Sequence, residues 1–419
     1  MLAWFLTQST TTELHSILQS QALKGAQVGV CVQDANGQTL FERNADMRFV
    51  PASNQKILTV LFALDTLGPN LKLRTSIWKS AQKVIVDAPG DPSLTLDELR
   101  KVRRRLKLFD NWPVHVRSPY EAYRGLGWEW DDLPWSYAAT IAPFSFDRSA
   151  FDVWAVGGRL ESLPPELQVY VKKTQSANLK VSFEPQSNVL TVAGHLPRTR
   201  TKLGSFAQAA PMAAAARALG GRLVVDQSEP PKRAADAVLV GKPIGVAAKE
   251  CLEASDNVIA EQLLALASKS TPTGSKAKWS DFAGLEREHL AKEFGVSQEL
   301  FRPVDGSGLS RHNQIAPLAM CKFLLEAARR PYRETWLESL AAGGEGTLRN
   351  RLKDSTFIGK TGTMDAVVSL SGYVTLKDGR VLVFSFFVNN SLAPASDVRS
   401  VQDRFVRALE KGIQPDDRQ

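Results

Sequence analysis

Three short motifs in this chain carry side chains able to run nucleophilic chemistry. Ser53-Asn54-Gln55-Lys56 sets a hydroxyl and an amine three residues apart. On a helix that spacing puts both on one face, where the helix dipole and a water-poor wall lower a lysine's pKa and fit it to accept the serine's proton. Ser255-Asp256-Asn257 adds a hydroxyl and a carboxamide between two helical patterns, and Lys360-Thr361-Gly362-Thr363 adds a cation beside two hydroxyls just before a strand. Each motif also has a plain structural reading: an N-cap serine with a surface lysine, a helix cap, and a solvated lysine that protects a strand edge from aggregation. Ser-x-x-Lys recurs at Ser80/Lys83 and Ser275/Lys278 and Ser-x-Asn at Ser176/Asn178, whereas Lys-Thr-Gly occurs once. Gly359-Lys360-Thr361 invites a phosphate-loop reading, but Asp354 stands where such a loop needs glycine and a strand follows instead of a helix, so that reading is rejected.

The elements that must position these motifs are legible in outline. Ile57 to Leu64 is an apolar run of good helix formers, which predicts a helix buried on most sides with Ser53 at its start. Leu14, Ile17, Leu18 and Leu23 fall near helical spacing between Thr12 and Leu23, and Val28, Val30 and Val32 alternate as in a strand. Asn36-Gly37 then predicts a tight hairpin turn into Thr39–Glu42. Near the other end, Val367–Leu376 and Val381–Val388 form a second hairpin through Lys377–Arg380, followed by an amphipathic helix over Ser396–Lys411. A lone hairpin is marginally stable, so the two are expected to share one antiparallel sheet with the terminal helices on a face. The fold class is therefore mixed α+β, an antiparallel sheet flanked by helices. The middle, from about Thr75 to Gly241, has short strand-like pieces such as Val84–Val86 and Leu190–Val192 between Pro and Gly breaks and reads as an insertion rich in β structure. The expected division is an outer domain over 1–74 and 241–419, an inserted domain over 75–145 and 204–240, and a further one over 146–203 nested inside it.

Length and composition agree with that division. At 419 residues, 43% apolar and 23% charged, the chain suits two or three folded domains and excludes disordered and fibrous classes. Its net charge of +8 admits an anionic partner without naming one. Cys31, Cys251 and Cys321 cannot all pair within the chain and form no Cys-x-x-Cys, so neither disulfides nor a thiolate metal site organises it. The apolar start Met1–Leu6 is too short for a complete export signal, and no run approaches the ~20 apolar residues of a membrane span, so membrane contact is at most peripheral. Arg100–Arg105 and Lys107 are interleaved with Leu96, Leu99, Val102 and Leu106 and are expected to be the solvated face of a helix. His312 has Asp305 nearby in sequence, but without a Gly-x-Ser-x-Gly elbow or His-Glu-x-x-His it is read as structural.

Taken together, Ser-x-x-Lys, Ser-x-Asn and Lys-Thr-Gly, in this order, are the signature of serine β-lactamases and penicillin-binding proteins. About 200 residues separate the two serines, room for extra domains. With Gly90–Ser93, Gly127–Asp132, Asp305–His312, Gly346–Arg351 and Ile358–Thr363, the chain resembles the D-alanyl-D-alanine carboxypeptidase/endopeptidase family, the class C low-molecular-mass penicillin-binding proteins, over nearly its whole length. The resemblance implies a serine peptidase acting on peptidoglycan peptides outside the cytoplasm, covalently inhibited by β-lactams, with no cofactor or metal and no nucleic-acid partner. It implies Ser53 as nucleophile, Lys56 as its base, Ser255 as proton relay, and Asn257 on the substrate amide or on Lys56. Lys360, Thr361, Gly362 and Thr363 would hold the terminal carboxylate, and the backbone N–H groups of Ser53 and Thr363 would form the oxyanion hole. Relatives hold the side chain of a diamino acid with residues matching Asp132, Tyr137, Arg351, Met364 and Asp365: Asp132 would pair an ammonium and Arg351 a carboxylate. A serine β-lactamase and a catalytically silent cell-wall-binding protein are the competing expectations; the first lacks a convincing Glu-x-x-Leu-Asn between the second and third motifs.

Overall fold

The two hairpins meet in one sheet. A computed structural model describes residues 5–6, 8–272 and 277–414, and Ser275 and most of the apolar N-terminus lie outside them. By internal contact the chain divides into two units, one of residues 1–69, 248–256 and 281–419, the other of residues 70–247 and 257–280.

In the first unit, helix α1 (Gln8–Ile17) leads through a 3₁₀ turn at Gln21–Leu23 into strands β1 (Gln27–Asp34) and β2 (Thr39–Arg43). The helix is shorter than its apolar pattern because Gln19 and Ser20 already bond three residues back, not four. In the turn between β1 and β2, Asp34 Oδ1 accepts the N–H of Asn36 and of Gln38, and Gly37 takes φ 87°. Helix α2 (Gln55–Leu67) stops at Gly68, whose φ of 76° lets its N–H bond Leu64 O. Helix α3 (Pro317–Ala327), strands β3 (Ile358–Met364), β4 (Val367–Thr375) and β5 (Val381–Asn389), and helix α4 (Ala395–Lys411) complete it. The sheet runs from a two-residue edge strand, Ala341–Ala342, through β3, β4, β5 and β1 to β2, antiparallel throughout. This joins the first hairpin to the last, as the two turn signals require.

Both faces of the sheet are covered, which explains why β4 and β5 read as near-continuous apolar runs and not as alternating ones. Val30, Val32, Leu370, Phe384 and Phe386 pack with Leu14 of α1 and Val401, Phe405 and Leu409 of α4. Each such buried side chain contributes about 1.5–3 kcal/mol. On the opposite face Gly29 lies against the Phe49 ring, where a Cβ would come within 2.3 Å of a ring carbon.

The second unit holds a mixed five-stranded sheet in the order Gly221–Val225, Trp112–Arg117, Val84–Asp87, Lys72–Lys79, Ala237–Pro243, and two three-stranded sheets built from segments between Ala150 and Ala207. One apolar core runs through it from Ile77 to Ala237 and takes in Phe151, Phe183 and Phe206. Phe151, Phe183 and Leu190, from the segment expected as a nested domain over 146–203, take part in that core. Helix Asn257–Ser270 belongs to this unit rather than with the outer segment, for Tyr123 Oη donates to Glu261 O at 3.0 Å and Gln262 Nε2 to Ala142 O at 3.4 Å. Helix Leu96–Leu106 opens on a capping box between Thr95 and Glu98, and its basic face is not wholly solvated: Arg100 forks onto the nearly buried Glu166 at 2.8 and 2.7 Å. Among the described residues no helix is long and apolar enough to cross a membrane.

Candidate active site

Ser53 sits in a 3₁₀ turn, Ala52–Asn54, that runs into α2. Lys56 is fully buried and donates to Ser53 Oγ at 3.0 Å and to Ser307 O at 2.5 Å, so it is no surface cation. Ala52, ahead of the serine, is held at φ 46°, a conformation that costs a non-glycine residue ~1–3 kcal/mol and persists only where the surroundings impose it. The carbonyl that meets Lys56 belongs to a loop organised by Asp305, whose buried carboxylate accepts from Gly308 N, Ser310 N and Asn313 Nδ2 at 2.7–2.8 Å. Asp305 is thus committed to its own loop, and His312 is exposed.

Ser255 occupies the turn after helix Ile244–Ala254 with φ 60°. Lys360 donates to Ser255 Oγ and to Thr361 O, both at 2.9 Å, and is fully buried, so the reading of it as a solvated edge charge fails. Burial first, then the neighbouring Lys56 cation, holds Lys360 well below the usual lysine range. Motifs one and three are welded by a residue that the motifs do not single out. Asn54 Nδ2 donates to Lys360 O at 3.1 Å and to Ser369 Oγ at 2.9 Å, and Ser369 donates to Pro51 O at 2.6 Å. At Gly362 a Cβ would meet Ser369 Oγ at 2.2 Å and Ser53 N at 3.0 Å, which accounts for glycine in Lys-Thr-Gly: the strand must pass the Ser53 backbone with no side chain between.

Ser53, Ser255, Thr361, Gly362 and Thr363 line a cavity of about 320 Å³ together with Thr347, Arg351 and Arg399. Arg351 is forked onto Asp403 at 3.1 and 2.7 Å, so it enters the cavity already neutralised. Thr361 Oγ1 donates to Thr347 Oγ1 at 2.8 Å, and Arg399 Nη2 donates to Thr363 Oγ1 at 3.0 Å. Met364 ends β3 half-buried, and Asp365 offers its carbonyl to Arg311 at 3.0 Å. In the second unit Asn257 begins a helix and donates through Nδ2 to Tyr137 O at 2.8 Å, while Tyr137 Oη donates to Asp132 Oδ1 at 2.9 Å. Burial, then that carboxylate, pushes the Tyr137 phenol above its usual range.

The duplicate motifs look different. Ser80 and Lys83 close a turn through Ser80 N to Lys83 O, and Ser176 merely accepts the N–H of Asn178 in an exposed loop. Asn54, Ser369, Ser307 O, Thr347 and Arg399 belong to the site's surroundings without any motif to mark them. Only Asn54, a polar residue at the head of an apolar run, left a trace in the sequence. Among the described residues no group of three or more His, Cys, Asp or Glu side chains is arranged to hold a metal ion.

An antiparallel sheet flanked by helices, with Ser-x-x-Lys on the helix facing a Lys-Thr-Gly strand, defines the penicillin-binding-protein and β-lactamase-like class of serine hydrolases. The model of the D-Ala-D-Ala carboxypeptidase 3 (S13) family matches residues 10–411, and the chain belongs to that family of serine carboxypeptidases. The D-alanyl-D-alanine carboxypeptidase of Actinomadura sp. (strain R39) is 28% identical over 458 residues, covering 91% of this chain and 81% of the relative. The crystal structure of penicillin binding protein 4 (dacB) from Haemophilus influenzae shares the fold with a TM-score of 0.76 at 24% identity, covering 94% of this chain and 98% of that one. A second crystal structure of that protein, in complex with a β-lactam, superposes with a TM-score of 0.74 at 23% identity over 95% and 98%.

Proposed function

We propose that this protein cleaves D-Ala-D-Ala-terminated stem peptides of peptidoglycan through an acyl-enzyme on Ser53. Lys56, in its neutral form, takes the hydroxyl proton as Ser53 Oγ bonds to the carbonyl carbon of the scissile peptide. The backbone N–H groups of Ser53 and Thr363 meet the oxyanion, and donors of this kind are worth ~10²–10³ in rate each. The C–N bond then breaks as Ser255 gives its proton to the departing D-alanine nitrogen and is reprotonated with the proton Lys56 took from Ser53, while Lys360 keeps its hydroxyl oriented. Water, giving a proton to the neutral Lys56, adds to the ester carbonyl, and the C–O bond breaks as Ser53 Oγ recovers that proton. Asn257 would orient the substrate amide, and Asp132 with Tyr137 would receive an ammonium of the stem peptide's diamino acid. Arg351 would act on that side chain only through the charge that Asp403 leaves it. Met364 and Asp365, which follow the third motif, would contribute to the same specificity.

The observation that carries this reading is a lysine without solvent exposure, bonded on one side to a serine at 3.0 Å and on the other to a carbonyl at 2.5 Å. An amine held this close to the serine hydroxyl and shielded from water is placed to exchange a proton with it. Since peptidoglycan lies outside the cytoplasm, the reading places the working enzyme in the periplasm or an equivalent compartment, with the carboxylate-rich wall as partner of a +8 chain. The β-lactam complex of the Haemophilus relative supports penicillin as a covalent probe.

The test is labelling with a tagged penicillin followed by peptide mass mapping. The adduct is expected on Ser53 and is abolished by Ser53→Ala. Release of D-alanine from a stem peptide marks carboxypeptidase action, and conversion of cross-linked dimers to monomers marks endopeptidase action. Rapid turnover of penicillin would make the protein a β-lactamase, and no adduct at all would make it a wall-binding module.

A further inference from the structure

We infer that Arg399 is the residue that reads the free carboxylate of the leaving amino acid, with Thr363 as its partner. This rests on the acyl-transfer reading and reassigns a role within it. The Lys360 ammonium, the group first expected to bind that carboxylate, already spends two of its three N–H bonds on Ser255 Oγ and Thr361 O. It is also buried beside Lys56, which disfavours its charged form. A group in that position orients Ser255; it is a poor anchor for an incoming anion.

Two guanidinium groups border the cavity that holds Ser53 and Ser255. Arg351 is neutralised by Asp403 through a fork of two bonds. Arg399 makes one hydrogen bond, to Thr363 Oγ1, and has no carboxylate within ion-pair distance among the described residues. It is half-buried, and burial, then the nearby Arg351, presses it below the usual arginine range against the opposing pull of Asp403, while still leaving it charged. No carboxylate among the described residues bonds it directly. Its contact with Thr363 adds direction: a hydroxyl that accepts from a guanidinium has its own proton to donate elsewhere. Arg399 N–H groups and the Thr363 O–H therefore make a paired donor set on the wall of the nucleophile's cavity, a fit for the two oxygens of a carboxylate.

The sequence gives no hint of this role, because Arg399 lies in the first turns of an amphipathic helix whose other arginines, Arg404 and Arg407, are exposed. Its position follows from the pairing of β3 with β4 and the packing of α4 over the same sheet.

The test compares two peptides that differ only at the C-terminus, D-Ala-D-Ala as the free acid and as its methylamide. Wild type is expected to prefer the acid, and Arg399→Gln to lower kcat/KM for the acid by about 10- to 100-fold, the range of a hydrogen bond to a charged group, with the amide little changed. Arg399→Lys keeps the charge without the fork and should retain part of the preference. Melting temperatures close to wild type establish that both variants fold. An Arg399→Gln enzyme that keeps the full preference for the acid overturns the assignment, as does a wild type that cleaves both peptides equally. In either case tagged penicillin still attaches to Ser53, and the acyl-transfer reading stands. Absence of the adduct and of cleavage in wild type strikes that reading instead.

Discussion

Gly362→Ala tests the tightest contact in the site. The added methyl would lie 2.2 Å from Ser369 Oγ, 2.8 Å from Pro51 O and 3.0 Å from Ser53 N, distances that no packed carbon tolerates. Something must move by about 1 Å, and the nearest atom is also the least free. Ser369 Oγ donates to Pro51 O at 2.6 Å and accepts from Asn54 at 2.9 Å, so displacing it breaks both bonds. At ~0.5–1.5 kcal/mol for each lost bond and ~1–3 kcal/mol for overpacking, the expected loss of stability is about 2–6 kcal/mol. For a unit of this size that lowers the melting temperature by roughly 5–20 °C. The effect on chemistry is larger, since the same shift parts Ser53 N from the strand that carries Thr363 N. A misplacement near 1 Å costs ~10² in rate, and the second-order rate of penicillin acylation, followed with a fluorescent β-lactam, should fall by about that much. An alanine variant that melts within a degree of wild type and acylates at the wild-type rate would show that strand and turn are not in contact and that no close approach requires glycine at 362.

Asp305→Ala strips the acceptor from three buried donors and should destabilise the protein by about 3–5 kcal/mol in chemical denaturation, with acylation down at least ~10-fold because the Ser307 carbonyl no longer anchors Lys56. Lys360→Met should abolish acylation yet leave the fold as stable as wild type or more so. Because the folded state depresses the Lys360 pKa, the unfolded chain binds more protons between that lowered value and the ordinary one near 10.4. Wild-type stability, measured by denaturant at stepped pH, therefore rises with pH across that window, and the rise should be shallower in Lys360→Met. Tyr373→Phe removes the hydroxyl that accepts from Trp336 Nε1 at 2.8 Å and donates to Leu324 O at 2.6 Å; leaving a buried indole N–H unpaired should cost about 1–3 kcal/mol in the denaturant midpoint, with acylation unchanged.

Local signals carried the outer sheet and the three motifs. Asn36-Gly37 and Asp378-Gly379 demand turns that only hairpins supply, and each hairpin needs a partner, so the sheet follows from the two together. The burial of Lys56 and Lys360 could be read only from company: one precedes an apolar run, the other precedes a strand. Periodicity could not reveal where the inserted strands go. A strand pattern over Leu190–Val192 says which face is apolar, but not that Phe183 and Leu190 would share a core with Val84 and Val114. The role expected of Arg351 depends on an Asp403 fifty residues on, and the placement of Arg399 depends on how a helix settles on a sheet; neither is a local property. Asn257 shows the same limit, for its helix packs by contact with the inserted unit while its motif belongs with Ser255.

The pairing of β1 with β5, Gln27 opposite Asn389, governs when the molecule can work. A ribosome adding ~5–20 residues per second makes the second strand roughly 20–70 s after the first. For most of that interval Ser53 exists without Ser307, Lys360 or Gly362, and throughout it the first hairpin waits with its inner edge unpaired. Ser53 and the groups proposed to activate it are thus separated in time as well as along the chain. An N-terminal fragment that ends before Lys360 lacks part of the proposed catalytic set, so acyl transfer is expected to wait for the strands that come late in the chain.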